Sequence, residues 1–284
     1  MKKIAVLLLP FLIFLLFSCQ KEYSLENGGN NPNIIGTNCR IAKIVYRDSA
    51  GIVAKGSVAD IINTIDQSTN ITVFDSLTAS IDYSSIPSYA GDTIHINADE
   101  YYLVNPSVKN IRQFHGLIDP TNPGSPQIDI IYSYDGSGYL VNKSYALTSA
   151  PGSPYQSVDY TYTGGNLTHM VSNDLTVGDK IADADITYYS FLAPQNFLYI
   201  FPDEASYAPF TQFLNFGKKP LNAVQNLIIK YYDPGNILRV TAVSSFTNYT
   251  QSVDGYILSV VMSGSDQPCL PAPAGKLLFS YMCK

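Results

Sequence analysis

The chain has 284 residues, with 17 Lys and Arg against 23 Asp and Glu, a formal net charge of −6. A mildly acidic chain without basic clusters excludes nucleic acid as a partner, because phosphate contacts need Lys and Arg. Hydrophobic residues make up 46% and charged residues 14%, which describes a chain that buries a core and excludes wholesale disorder.

In chain order, Lys2 and Lys3 precede an unbroken apolar run from Ile4 to Phe17, closed by Ser18 and Cys19. The run is shorter than the roughly 18 to 20 residues a membrane-spanning helix needs. A charged start, a brief apolar stretch and a small residue before the cut form a secretory signal. A cysteine at that junction resembles the lipobox of bacterial lipoproteins, although Phe17 is bulkier than the usual residue at its position. The resemblance implies cleavage before Cys19, acylation of its thiol and new amine, and a lipid bilayer as the first partner. Stable anchoring takes more than one acyl chain, at about 0.8 kcal/mol per buried methylene. The bare alternative is an incidental cysteine after an ordinary signal.

From Cys19 to Asn38 the chain is polar and becomes rich in Asn, Gly and Pro from Asn27. Such a segment has little to bury and reads as a flexible tether. Its roughly 19 residues would span about 25 Å on average. The start Cys19-Gln20-Lys21-Glu22-Tyr23-Ser24 is similar to that of Bacteroidota lipoproteins carried to the cell surface, which implies an outer-membrane, surface-exposed location. The expected organisation is a signal over 1–18, a tether over 19–38 and one β-rich domain over 39–284.

Within that domain the recurring unit is a strand, a tight turn and a return strand. Ile41–Tyr46 turns at Asp48–Gly51, Ile128–Tyr134 at Asp135–Gly138, and Val158–Tyr162 at Gly164–Asn166. Leu227–Tyr232 turns at Asp233–Asn236, and Ser252–Gly255 marks a weaker copy; a further pair turns near Asn105–Ser107. Gly and Asn supply the positive φ of hairpin turns, and Asp accepts local backbone bonds. Period-2 alternation beside the turns, as in Val158-Asp159-Tyr160-Thr161-Tyr162, puts one face on a core and the other in water. Consecutive hairpins give an all-β antiparallel meander, a curved sheet or partial barrel. The 22 tyrosines, with no tryptophan, are expected on the wet face. Asp135-Gly136-Ser137-Gly138 has no following helix for a phosphate loop and too few carboxylates for calcium.

These aromatic-Asp-x-Gly units, over Ile128 to Ser263, resemble uncharacterised Bacteroidota lipoproteins with a porin-like β-meander. They are more distantly similar to the tyrosine-aspartate repeats of large secreted shell-forming proteins. The resemblance implies a fold and supplies no catalytic residue.

Phe191 to Phe216 breaks the pattern, with eight aromatics separated by Pro194, Pro202 and Pro209. Asp203-Glu204-Ala205-Ser206 could open a short helix presenting Tyr207, Phe210 and Leu214 on one face. One reading is a plug over the open face or end of the sheet. The other is a ligand surface built from Phe197, Tyr199, Phe201, Tyr207 and Phe210.

With Cys19 acylated, Cys39, Cys269 and Cys283 remain, none in a CxxC pair or beside a histidine, so no metal site is expected. Pairing of Tyr256–Val261 with Lys276–Tyr281 puts Cys269 in the connecting loop and Cys283 about 25 Å away along the strand, far beyond bridging reach. If the first strand lies antiparallel to the last, Cys39 meets Cys283 and a disulfide can form; the alternative is three free thiols. His95, His115 and His169 stand in separate segments, each expected to be an ordinary surface or core residue. The acidic spots Asp99-Glu100 and Asp183-Ala184-Asp185 are expected to be solvated.

There is no GxSxG, HExxH or Cys-His grouping, so no catalytic residue is assigned and no cofactor is expected. The function expected is non-enzymatic binding of a glycan, peptide or protein by a membrane-anchored envelope lipoprotein. A structural spacer or assembly component is the first alternative. An envelope hydrolase with carboxylates from distant strands is the second.

Overall fold

The computed structural model describes residues 39–48, 53–61, 68–75, 80–85, 87–119, 122, 124–194, 214–264 and 274–283. The signal, Cys19, the tether, Cys269 and the expected ligand residues Phe197, Tyr199, Phe201, Tyr207 and Phe210 lie outside them, as does the expected helix opening at Asp203. All regular structure in the described residues is β. Strands β1 (Cys39–Asp48), β2 (Val53–Ile61), β3 (Ser68–Asp75), β4 (Ser80–Ser85), β5 (Ser88–Ala90) and β6 (Thr93–His95) come first. They are followed by β7 (Tyr101–Val104), β8 (Ile111–Leu117), β9 (Gln127–Tyr134), β10 (Leu140–Leu147), β11 (Gln156–Thr163) and β12 (Asn166–Asp174). The last are β13 (Asp179–Leu192), β14 (Asn222–Asp233), β15 (Ile237–Gln251), β16 (Ile257–Gly264) and β17 (Ala274–Cys283).

Each strand from β5 to β17 pairs antiparallel with the next, and so do β1 to β4. The two runs join because β17 pairs antiparallel with β1, Cys39 standing opposite Cys283. Among the described residues no pairing links β4 to β5, where buried Pro87 interrupts the chain, and the sheet is not closed. Proline has no amide to give a ladder, so it sits where pairing stops.

Hairpin succession places alternate turns at two rims. The entry rim holds Cys39, where the chain comes in, and the turns after β7, β9, β11 and β15. The far rim holds the turns after β8, β10, β12 and β14.

Alternation then sorts the faces. Ile128, Ile130 and Tyr132 of β9 are buried, as are Val158 and Tyr160 of β11, Ala182, Ala184 and Ile186 of β13, and Leu277 and Phe279 of β17. Together with Leu227, Ile229, Phe246 and Met262 they form one continuous apolar interior. The residues between them face out. One cross-strand row on the outer face runs Ser133, Asn142, Asp159, Val171, Asp183, Lys230, Thr241 over seven strands.

Tyrosine does not sit mainly on the wet face as expected. Tyr102, Tyr132, Tyr145 and Tyr160 are buried, and others line the interior at the entry rim, where they serve a repeated purpose. Tyr134 on β9 donates its hydroxyl to the carbonyl of Ile111 on β8 at 2.6 Å. Tyr188 donates to Leu167 at 2.7 Å, Tyr249 to Val224 at 2.5 Å and Tyr281 to Ile257 at 2.8 Å. Each hydroxyl reaches a carbonyl near the start of the preceding strand, 21 to 25 residues back. The four acceptor residues are all buried, so each hydroxyl satisfies a carbonyl at an apolar strand start, where an unmet bond costs about 1–3 kcal/mol. Tyr162 stands in the same relation to Leu140, but its hydroxyl is buried with no partner. Burial raises the pKa of Tyr162, Tyr188, Tyr249 and Tyr281, by desolvation first and neighbouring tyrosines second.

Candidate functional site

The described tail of the aromatic insertion crosses the entry rim as a strap. Asn215 accepts from the amide of Ile111, Lys218 donates its amide to Gly138, Leu221 donates to Gly165, and Leu221 accepts from Ala193. Two glycines permit this crossing. A Cβ at Gly165 (φ 79°) would lie 2.5 Å from Leu221 Cδ1, and one at Gly217 (φ 87°) would lie 2.6 Å from the Gly138 carbonyl oxygen. The strap drives Phe216, fully buried, into the interior against Tyr132 (centroids 5.1 Å) and Tyr102 (6.1 Å). Leu214 is buried beside it. At the other end of the insertion Phe191 stacks on Tyr189 at 5.4 Å and meets the edge of Tyr249 at 5.5 Å. The described ends of the insertion therefore cover the end of the sheet.

Cys39 is buried and disulfide-bonded, and its cross-strand neighbour is Cys283. The first strand does lie antiparallel to the last, the condition on which the expected bridge depended.

None of the three histidines stands alone. His169 on β12 faces Asp185 on β13, with Nδ1 2.9 Å from Asp185 Oδ1 and Nε2 3.5 Å from Asp183 Oδ1. Lys180 donates to the other oxygen of Asp183 at 2.6 Å, and that bond raises the lysine pKa. The donor atoms of His169, Asp183 and Asp185 lie within 4.8 Å of one another, a span that suits a divalent cation. Yet the two ring nitrogens diverge, so one ion could take only one of them, and Lys180 already neutralises Asp183. As it stands the group is a self-paired charge cluster on the outer face.

The second cluster is a cross-strand row of His95, Tyr101, His115 and Asp129 over β6 to β9. Tyr101 stacks on His115 at 4.7 Å and tilts against His95 at 5.8 Å. His115 Nδ1 lies 2.9 Å from Asp129 Oδ1, which also accepts from Gln113 at 2.8 Å.

The acidic pair Asp99-Glu100 corrects an expectation. Asp99 is exposed, but Glu100 is buried, accepting from the Asn97 side chain at 2.6 Å. The aspartate of Asp135-Gly136-Ser137-Gly138 acts as a turn cap, its Oδ1 accepting from the amides of Ser137 and Tyr139 at 2.9 Å each.

The hairpin turn alone would not have found the His169 cluster: with Asp174 opposite Asp179, residue 169 would face Ala184, and it is the one-residue irregularity beyond Lys180 that brings Asp185 level with it.

No protein-family model matches the chain, and no curated protein matches it. Solved structures do. A porin-like protein from Bacteroides uniformis is similar over 85% of this chain and 98% of its own, with 13% identity and a TM-score of 0.57. A porin-like protein from Bacteroides vulgatus covers the same shares at 12% identity and a TM-score of 0.49. The fold is porin-like. At such identity the likeness concerns the backbone path alone.

Proposed function

We propose that this chain is a lipid-anchored envelope protein whose β domain stands in water and binds a partner without catalysis, rather than a pore through the bilayer. The supporting observation is the polarity of the two faces. A spanning barrel turns an apolar band about 25 Å tall toward lipid, and Arg or Lys at the midplane costs about 2–4 kcal/mol. Here the row Asn142, Asp159, Asp183, Lys230 faces outward, most of the large aliphatic side chains of the described strands are buried in the interior, and the exposed ones, such as Ile131, Ile181, Val243 and Leu258, share the outer face with charged and polar residues.

The signal, Ser18-Cys19 and the polar run to Asn38 support acylation of Cys19, with the domain tethered to the outer membrane and displayed at the surface. A glycan, peptide or protein is the ligand class, and the aromatic insertion between Phe191 and Phe216 supplies the contact residues.

Two measurements test this. Mass spectrometry of the amino-terminal peptide should find a chain that begins at acylated Cys19. Reconstitution into planar bilayers should give no stepwise conductance. A mature chain starting elsewhere ends the anchor, and reproducible channels end the aqueous placement.

A further inference from the structure

On the outer face, β12 and β13 bring His169 level with Asp185, and Asp183 lies two residues along the same strand, on the same side of the sheet. His169 Nδ1 is 2.9 Å from Asp185 Oδ1. A carboxylate only accepts, so that nitrogen carries the proton, and in a neutral ring Nε2 keeps its lone pair. Nε2 stands 3.5 Å from Asp183 Oδ1. These are two acceptors side by side, with no proton in a neutral ring to join them. A proton between them would draw the pair to about 2.7–2.9 Å, the length of a charge-assisted bond. The observed gap instead matches two ligands of one zinc-like ion. Bonds of about 2.0–2.2 Å at a tetrahedral angle hold a nitrogen and an oxygen about 3.4 Å apart. Lys180 occupies only the other oxygen of Asp183, Oδ2.

We propose that His169 Nε2 and Asp183 Oδ1 are the ligands of a site for a divalent transition-metal ion such as Zn²⁺, with Asp185 as the positioning residue that holds the ring. Imidazole suits such ions. A ligating histidine ordinarily donates its other N–H to a carboxylate, as His169 does to Asp185. With two protein ligands the ion keeps at least two positions for water, so it is exchangeable rather than structural. Two cations oppose it: Lys180 on Asp183 Oδ2, and Lys230, the cross-strand neighbour of Asp183 on β14. The Lys180 side chain is 43% exposed and can swing into water, which leaves the carboxylate to the ion. The site ties β12 to β13 and depends on neither the anchor nor the insertion.

The test is calorimetric titration of the purified full chain with zinc chloride, its free thiols alkylated beforehand so that they cannot bind the ion. One saturable site per chain is expected. His169→Ala and Asp183→Asn should each weaken binding at least tenfold, and Asp185→Asn by about tenfold or more. Lys180→Gln should tighten it several-fold, because the competing ammonium is gone. An unchanged thermal midpoint without zinc shows that a variant folds. A second measurement needs no variant: in the histidine-labelled chain, the nitrogen-15 resonance of His169 Nε2 should move as zinc is added, with Nδ1 still protonated. For Asp185 the further readout is the Nδ1 proton resonance, which should move upfield in Asp185→Asn. No binding by the natural chain, equal affinity in His169→Ala or Asp183→Asn, or an Nε2 resonance that stays in place overturns the site. Affinity and Nδ1 resonance both unchanged in Asp185→Asn overturn the role given to Asp185.

Discussion

The entry rim and the far rim hold their turns by different physics. At the entry rim the bonds are dry: tyrosine hydroxyls reach buried strand-start carbonyls, and a strap lays its backbone across three turns and buries Phe216. At the far rim they are wet. Asp179 on the β12–β13 tip accepts from the Gly235 amide at 2.6 Å and from Asn236 Nδ2 at 3.0 Å, and Asn236 accepts from the Lys180 amide at 2.7 Å. Around that clasp Val177, Ile237 and Leu238 are largely bare. The same sheet thus has one end built like a core and one built like a surface. The comparison teaches that burial, rather than bond count, decides what each contact is worth.

The largest expected effect tests the seam where the two runs of strands meet. Cys39 is disulfide-bonded opposite Cys283, and a bridge between them closes nearly the whole domain, where chain-entropy models give about 5 kcal/mol. Reductant, or Cys39→Ser, should lower the thermal midpoint by about 10 °C or more for a domain of this size. Peptide mapping should recover Cys39 linked to Cys283. An unchanged midpoint, or Cys39 alkylated without reductant, breaks this.

Next comes the strap. Phe216→Ala empties a fully buried aromatic site and should cost about 3–5 kcal/mol by denaturant unfolding. A cost below about 1 kcal/mol would mean that the strap merely lies on the rim.

The tyrosine clamps allow an internal control. Tyr188→Phe removes the bond to Leu167 and leaves a buried carbonyl unmet, with an expected cost of about 1–3 kcal/mol. Tyr162→Phe removes a hydroxyl without a partner and should be neutral or slightly stabilising. Equal costs at the two sites would refute the clamp.

Alkali reads the same group. Burial raises the pKa of Tyr188, Tyr249 and Tyr281 above the ordinary 10.0. The unfolded chain therefore gives up these protons first, and their contribution, complete below pH 10, is lost as pH rises beyond it. Absorbance titration should show a class of tyrosines that ionises only as the domain unfolds.

The smallest effect belongs to the far rim. Asp179→Ala should cost less than about 1 kcal/mol overall, because the clasp is exposed to water. Amide exchange at Gly235 should nonetheless quicken, since its acceptor is gone. A global loss as large as that of Tyr188→Phe would erase the distinction between the rims.

Much of this architecture is written in local chemistry. Asp135–Gly138, Gly164–Asn166, Asp233–Asn236 and Ser252–Gly255 all form the turns that their Gly, Asn and Asp demand, because positive φ and side-chain caps act over four residues and need no distant partner. Alternation in β9 and β11 likewise decided which side chains face the interior. The join of β1 to β17, the strap and the tyrosine clamps depend on contacts from 21 to 244 residues apart, which no window of sequence displays. Glu100 shows the same limit: beside Asp99 it looks solvated, yet it is buried, with its Cγ close to Gly116 and its carboxylate bonded to Asn97. His169 meets Asp185, and His115 meets Asp129, because hairpin register brings them level. Local rules therefore determined the strands and turns, where the energy is short-ranged. The tertiary structure alone decided where tyrosine went, because a hydroxyl finds a buried carbonyl only after the strands have assembled around it.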